Sequence, residues 1–492
     1  MTVNRRSMIS PLSCVRVAFL GLALAFGFNV ARAETPADPR MLATAQLEEA
    51  QAYHVGTLAY LYGFPIVDML QNLYRETQQV VGAPLSAPRA PINQFYRFRE
   101  RVTPTTAGTL RAPNSDTLYL SGWFDLRDEP VVIRAPDTAG RYYTLAITDF
   151  YSEVQHVGRR TTGTAAQDFA LVGPAFKGEL PAGVRKIRVP THQAWVLGRV
   201  LVKGANDLTA ARSVLEGFHA IPLSQWQRGE RVTPAATPLE SVEAWQPTET
   251  LEFFAVLNWW LRDNPRMVGE EALLAQFDAV GFGPVGAFDL SRRSEATRRG
   301  LQRAIDDARA MLRAASRRPT PDIRNGWIFP LALGRYGHDY LMRATVAFGG
   351  YANLPEETVY AALTGDSRGQ PLRGERDYVL RFPAGARPPV GAFWSLSAYQ
   401  IKDFSLMPNA LERYSIGDHS EGFRAAADGS FAIRISRAPP RDPPSDRLGD
   451  RRENWLPVGE GPYYLILRLY EPGPSVLDGR YVPPSLEETL PP

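Results

Sequence analysis

The chain has 492 residues, with 55 Lys+Arg against 52 Asp+Glu, 44% hydrophobic and 22% charged, a composition that excludes a disordered or fibrous protein. A formal net charge of +3 argues against a nucleic-acid partner, because phosphate binding needs a concentrated basic surface that releases counterions. With 40 glycines and 41 prolines the chain is rich in turns and is not mostly helical.

The first segment reads as an address. Arg5, Arg6 and Arg16 precede an apolar run from Val17 to Val30, and Ala31-Arg32-Ala33 follows, which is the order of a secretory signal peptide. The run is shorter than the roughly 20 residues a membrane-spanning helix needs. Residues 1–33 are therefore expected to direct export, by the general secretory route or by the twin-arginine route that Asn4-Arg5-Arg6-Ser7-Met8-Ile9 also fits. Removing four of the 55 basic residues leaves 51 against 52 acids and takes away the only cysteine, Cys14. The expected product is neutral, free of disulfides and thiolate sites, and periplasmic or secreted. Phe253 to Leu261 is its longest apolar run, so no membrane span is expected after the signal.

Met41 to Tyr62 carries Leu42, Leu47, Tyr53, Leu58 and Leu61 at helical spacing, and Gly63-Phe64-Pro65 is expected to break it before a second helix through Met69 and Leu73. This predicts a helical hairpin over 34–94. Short alternating segments follow: Thr117 to Phe124, Val131 to Arg134, Tyr142 to Thr148, Phe169 to Val172, Arg185 to Val189 and Trp195 to Val202. They predict an antiparallel β-sandwich over 95–240, closed by a helix from Asp207 to Phe218. Helical periodicity returns over 241–370, in Leu251 to Leu261, Glu270 to Phe277, Arg292 to Ala315 and His338 to Phe348. Strands at Tyr378 to Phe382, Phe393 to Tyr399, Phe431 to Ile435 and Tyr463 to Tyr470 predict a second sandwich over 371–475, with 476–492 as a tail. Arg437 to Glu453, with Pro439, Pro440, Pro443 and Pro444, reads as a long loop. The fold class is multidomain α+β: two antiparallel β-sandwiches with helical segments at the N-terminus and in the middle.

One internal echo stands out. Val132-Ile133-Arg134-Ala135-Pro136 with Gly140 to Leu145 resembles Val379-Leu380-Arg381-Phe382-Pro383 with Gly391 to Leu396. Each is a strand, a Pro/Gly turn and an aromatic-led strand, as two sandwiches built on similar hairpins would give.

Pro113-Asn114-Ser115-Asp116-Thr117-Leu118-Tyr119, Tyr143 to Tyr151 and Pro222-Leu223-Ser224 resemble the bacterial domain-of-unknown-function family 1254. Phe393-Trp394-Ser395-Leu396, Arg413-Tyr414-Ser415-Ile416-Gly417-Asp418, Asp428-Gly429-Ser430 and Asn454-Trp455-Leu456-Pro457 resemble family 1214. The chain is similar to exported proteins that pair the two in this order, over most of its length. The resemblance implies an immunoglobulin-like first sandwich and a jelly-roll-like second one. It implies no chemistry, since no agreed activity comes with it.

Chemistry must come from the residues. The six histidines, His54, His156, His192, His219, His338 and His419, all lie more than five residues apart, so no short zinc signature exists and neither metal nor cofactor is expected. No G-x-S-x-G elbow is expected, no S-x-x-K or phosphate-cradling G-x-x-x-x-G-K-[ST] occurs, and no G-x-G-x-x-G follows a strand, so serine hydrolase chemistry of the common types is disfavoured. Asn114-Ser115-Asp116-Thr117 has two readings: an Asx-type turn that fixes entry into the sandwich, or a turn that aims the Asp116 carboxylate into a cleft. Asp149-Phe150-Tyr151 poses the same choice. Asp418 and His419 share a turn that could meet Tyr399 and Arg413. The candidate set is Asp116, Asp418 and His419 for proton transfer, with Asn114, Tyr399 and Arg413 for ligand binding. Arg413, with Arg468, would clamp an anionic group. Among the tryptophans, Trp123, Trp195, Trp394 and Trp455 lie in or beside strands, as core or as a stacking surface. The leading expectation is a protein that binds or hydrolyses a polar small molecule or oligosaccharide-like ligand in a cleft between the sandwiches. The alternative is a non-catalytic envelope or scaffold protein forming homo-oligomers.

Overall fold

The computed structural model describes residues 39–82, 89–106, 112–230, 239–316, 322–440 and 452–489. The expected signal segment and most of the proline-rich loop lie outside them. Residues from Gln46 onward form one compact unit, whose described residues make four larger β-sheets, a two-stranded parallel ribbon of Gln79–Val80 with Ser241–Val242, and a helical layer.

The first pair of sheets lies where the alternating pattern places it. A five-stranded antiparallel sheet runs in the order Phe95–Phe98, Thr117–Asp125, Gln193–Leu201, Tyr143–Asp149, Val154–Gly158. A four-stranded sheet runs His219–Pro222, Val131–Ala135, Gln167–Val172, Val184–Arg188. Leu118, Leu120, Leu145 and Val196 of the first meet Val131, Ile133, Phe169 and Leu171 of the second in a closed apolar core. The second pair repeats this plan. A six-stranded sheet includes Thr358–Leu363, Tyr463–Pro472, Val390–Gln400 and Ser415–Gly417 as neighbours, and a four-stranded sheet runs Trp455–Pro457, Phe431–Ser436, Asp377–Phe382, Leu486–Thr489. Leu396, Leu465, Leu467 and Leu469 pack there on Leu380, Phe382, Ile433 and Ile435.

Several expectations are corrected. Each four-stranded sheet carries one parallel pair, Gln167–Val172 with Val184–Arg188 and Phe431–Ser436 with Trp455–Pro457, so the ladders are not purely antiparallel. The second sheet pair starts at Ile323, with the short strands Ile323–Arg324 and Trp327–Ile328 and then Thr358–Leu363, all within the stretch expected to be helical. The expected tail contributes the strand Leu486–Thr489, paired with Asp377 to Leu380. The hairpin is a single helix, Pro39–Thr77, that runs through Pro65. Proline removes one backbone donor there, but Tyr60, Tyr62, Phe64, Ile66, Val67 and Met69 are all buried around it, and that packing outweighs the local break.

The echoed strands have equivalent places. In each copy the first strand (Val131–Ala135 or Asp377–Phe382) is internal to a four-stranded sheet. The second (Tyr143–Asp149 or Val390–Gln400) is internal to the facing sheet. They are arches between sheets and not hairpins within one, so the Pro/Gly turn carries the chain across the core.

Helices Glu252–Asp263, Glu271–Asp278, Glu295–Ala315 and Tyr340–Gly349 pack with the long helix through Phe254, Leu257, Trp260, Phe277, Leu301 and Ala344. Helix 295–315 starts where Ser294 Oγ accepts a hydrogen bond from the Thr297 amide at 3.0 Å, a cap that satisfies an otherwise orphaned donor. Among the described residues no helix is long and apolar enough to cross a membrane.

The two larger sheets also meet each other. Tyr142 and Leu201 pack on Phe393 and Tyr470, while Tyr119 and Leu197 pack on Tyr399, Leu406 and Ile466. This junction contains most of the predicted site.

Candidate ligand site between the two sheet pairs

The turn before Thr117 is an Asx turn, as its residues allow. Asn114 Oδ1 accepts from the Asp116 amide at 2.6 Å, the Asn114 amide donates to Tyr119 Oη at 2.9 Å, and Asn114 Nδ2 donates to Tyr470 Oη across the junction. The same turn also aims Asp116 at the second sheet pair. Ser415 Oγ donates to Asp116 Oδ1, and His419 Nε2 lies 3.3 Å from that oxygen although the two residues are 303 positions apart. The turn that fixes entry into the first sheet thus also carries Asp116 to a buried contact with the second sheet pair.

His419 sits between two carboxylates, with Nδ1 3.5 Å from Asp418 Oδ1 and its ring edge-on to Phe393. Burial would lower its affinity for a proton, but hydrogen bonds and charge from Asp116 and Asp418 outweigh burial and push its pKa up to about 9. For Asp116, burial would raise the carboxyl; the His419 hydrogen bond and charge, with Ser415, hold it below the usual carboxylate range. Asp418 Oδ2 accepts from Arg387 at 3.0 Å. At neutral pH His419 is thus an imidazolium, with no lone pair to act as a base. The Ser415 proton goes to Asp116 and not to His419, so no nucleophile-base pair is assembled. The cluster fastens the two sheet pairs by an ion pair.

Tyr399 is at the same junction, its Oη donating to the Pro113 carbonyl at 2.6 Å. Arg413 is not: Nη1 donates to the carbonyls of Arg452 and Trp455 at 3.0 and 3.1 Å, so it pins a loop and is not placed as an anion clamp. Asp149 Oδ1 accepts from the amides of Tyr151 and Glu153 at 2.8 and 3.0 Å, a turn-fixing role. Trp123, Trp394 and Trp455 are buried, while Trp195 keeps some exposure.

Two arginines lie in the middle of the junction: Arg468, expected from the sequence beside Arg413 as an anion clamp, and Arg199, which sequence reasoning missed. Arg199 is opposite Tyr119 and Thr144 in one sheet, and Arg468 is opposite Tyr360 and Ser395 in the other. Arg199 Nη1 donates to Asn353 Oδ1 at 3.2 Å, and Asn353 Nδ2 donates to Tyr360 Oη at 2.7 Å. Arg468 is 2% exposed; Nη2 donates to the Ala112 carbonyl at 2.6 Å, and Nη1 is buried without a hydrogen-bond partner. Their guanidinium carbons lie 5.4 Å from the Tyr119 ring centre and 5.2 Å from that of Tyr399, respectively. Among the described residues no carboxylate comes within 4.0 Å of either arginine. The nearby acids have their own cations: Glu357 with Arg160, Glu471 with Arg159, and Asp116 with His419. His156 registers the excess. Burial first, and then Arg199, Arg160 and Arg335, bring its pKa down to about 3. A signal was present in the sequence: Arg199 shares a strand face with Trp195, Leu197 and Leu201, and Arg468 shares one with Tyr464, Ile466 and Tyr470. A charge in period two with aromatic and apolar residues is costly unless something pairs with it.

Two other features complete the survey. Gly365-Asp366-Ser367-Arg368-Gly369 does have G-x-S-x-G spacing, a correction to the expectation that no such motif occurs. Its setting is a turn, with Asp366 Oδ1 accepting from the amides of Arg368 and Gln370 at 2.9 Å and the Ser367 amide donating to Leu486, not the strand-to-helix elbow of a hydrolase. A hollow of about 710 Å³ beside Arg134, Asp168 and His219 contains none of the predicted site residues. Among the described residues no group of three or more His, Cys, Asp or Glu is placed to hold a metal ion.

Comparison with known proteins agrees with this architecture. No curated protein matches the chain. The VPA0106 protein from Vibrio parahaemolyticus, of known structure, is 24% identical over 89% of this chain and 100% of its own, with a TM-score of 0.66, which shows a shared fold. An uncharacterized protein from Burkholderia cenocepacia is 12% identical over 93% of this chain and 91% of its own, with a TM-score of 0.41. Residues 92–222 match the model described as protein of unknown function DUF1254, and residues 357–474 match that of protein of unknown function DUF1214. The chain belongs to the proteins that carry these two domains in this order, N-terminal 1254 followed by C-terminal 1214.

Proposed function

We propose that the protein is an exported binding protein that holds a small polar molecule between its two sheet pairs, without hydrolysing it. The observation that carries this reading is the character of the junction. Two domains fused only for stability would use apolar packing, yet here the polar Arg199 and Tyr360 sit at the junction, joined through Asn353, and both are only partly buried. Arg468 lies behind them with an unused buried donor. Leaving a buried charge without a counter-charge costs several kcal/mol, and a ligand that supplies one recovers that loss. The charged state of His419 speaks against acid-base hydrolysis at this place. Export rests on the signal pattern of residues 1–33. The finer assignment of the sheet pairs to immunoglobulin-like and jelly-roll-like types belongs to the same reading, supported by two facing sheets around a filled core in each.

A thermal-shift screen against sugars, organic acids and divalent metals tests the proposal. A ligand present at 100 times its Kd stabilises the folded state by about 2.7 kcal/mol, which is measurable. Absence of a shift with every compound would leave the scaffold alternative in its place.

A further inference from the structure

Resting on that reading, we infer that the ligand is an anion whose oxygens, a carboxylate or an inorganic oxyanion, are held between Arg199 and Arg468 by the phenols of Tyr119, Tyr360 and Tyr470. Three independent counts lead there.

The first is charge. Two guanidiniums, one from each sheet, lie near the same three tyrosines, Tyr119, Tyr360 and Tyr470, and no acid among the described residues pairs with either, while Glu357, Glu471, Asp116 and Asp418 are each committed to another cation. An arginine does not relieve this by losing its proton. The local surplus is positive, and an anion removes it.

The second is hydrogen bonding. Tyr119 Oη accepts from the Asn114 amide, Tyr470 Oη from Asn114 Nδ2, and Tyr360 Oη from Asn353 Nδ2. Each phenol thereby has an acceptor role filled, and its own proton meets no acceptor among the described residues. All three lie within electrostatic range of both guanidiniums. Arg468 Nη1 adds a buried donor with no partner, and Arg199 makes one recorded hydrogen bond from a group that can make five. The junction offers donors in excess and lacks acceptors. A neutral sugar, which brings donors of its own, meets this need poorly; an oxyanion brings acceptors alone.

The third is access. Arg199 and Tyr351 are enclosed by protein, yet both keep solvent-accessible surface, as does Tyr360. The group is therefore not sealed from solvent, and a small ion can reach it. Planar forked donors on both sides suit a carboxylate or a similar oxyanion better than a spherical halide.

The full chain, freed of carboxylate and phosphate buffers, is titrated at constant ionic strength with sodium acetate, citrate, phosphate or sulfate. Chloride and N-acetylglucosamine serve as comparisons, and melting temperature and calorimetric heat are recorded. At least one oxyanion is expected to give a saturable rise that chloride does not. Arg199→Gln and Tyr360→Phe are expected to weaken its apparent affinity tenfold or more, and the anion-free Arg199→Gln protein should melt no lower than the parent, since a like-charge repulsion is gone. Equal behaviour of every oxyanion and chloride overturns the inference. So does an Arg199→Gln protein that melts lower with and without anion by the same amount, which marks a purely structural arginine. A saturable response to N-acetylglucosamine that survives Arg199→Gln removes the anion inference but keeps the binding reading; no response to any compound removes both.

Discussion

His419 illustrates how little a residue type says about its role until its neighbours are known. Between Asp116 and Asp418 it holds its proton up to about pH 9, against an ordinary 6.5. A raised folded value means that its contribution to stability is complete below about 6.5 and is lost as pH rises through about 9. Asp116 has the opposite sense: its carboxyl lies below the ordinary 3.8, so its contribution is complete above that value and is lost as pH falls through the folded one. The stability plateau attributable to the pair therefore spans roughly pH 4 to 6.5. Urea denaturation is expected to show stability declining between pH 6.5 and 9 by an amount on the order of a few kcal/mol. His419→Gln should flatten that decline; an unchanged slope would assign it to other groups. A second expectation concerns Asn114, which serves the turn through Oδ1 and the junction through Nδ2. Asn114→Ala removes both and should cost about 1–3 kcal/mol in a denaturant melt. The chemistry of Asp116 and His419 was legible in the sequence as residue types in distinctive turns. Their meeting was not, because nothing local encodes a contact across 303 positions.

At the scale of elements, local pattern succeeded where a turn signal announces a strand and faltered where none does. The strand Thr117–Asp125 has eight consecutive buried positions but announces itself by the Asx turn before it. Thr358–Leu363 lies between a helical stretch and a turn, with no such signal, and was absorbed into the helical segment. The long helix shows the converse. A proline at position 65 is a local instruction to stop, and burial of its neighbours against helix Glu252–Asp263 overrides it. Gly63 makes that contact close: a Cβ there would lie 2.6 Å from Leu257 Cδ2. Gly63→Ala is therefore expected to force the two helices apart and destabilise the protein by about 1–3 kcal/mol, measured as a lower urea midpoint. A neutral or stabilising effect would mean that Leu257 can turn aside at no cost.

For the whole molecule, the sheet junction makes one body of what the sequence divides into modules. Tyr142, Leu201, Phe393 and Tyr470 share one cluster, and Trp123 and Trp195 join the core of the helices. Unfolding is expected to be a single transition, with far-UV circular dichroism and tryptophan fluorescence coinciding; separated midpoints would show the sheet pairs to be independent. Fold class and the order of modules were readable because they follow from periodicity and turn chemistry. The junction was not, since it depends on which outward faces are eventually covered. That covering has a consequence in time. A chain emerges N-terminus first, from a ribosome or through a translocation pore, and the face bearing Tyr119, Arg199 and Tyr142 must wait for partners that end at Tyr470, some 270 residues after Leu201. At about 5–20 residues per second this is on the order of 15 to 50 s. An all-aliphatic face left bare for so long would invite aggregation, whereas one carrying a guanidinium, phenols and an Asx turn can be hydrated while it waits.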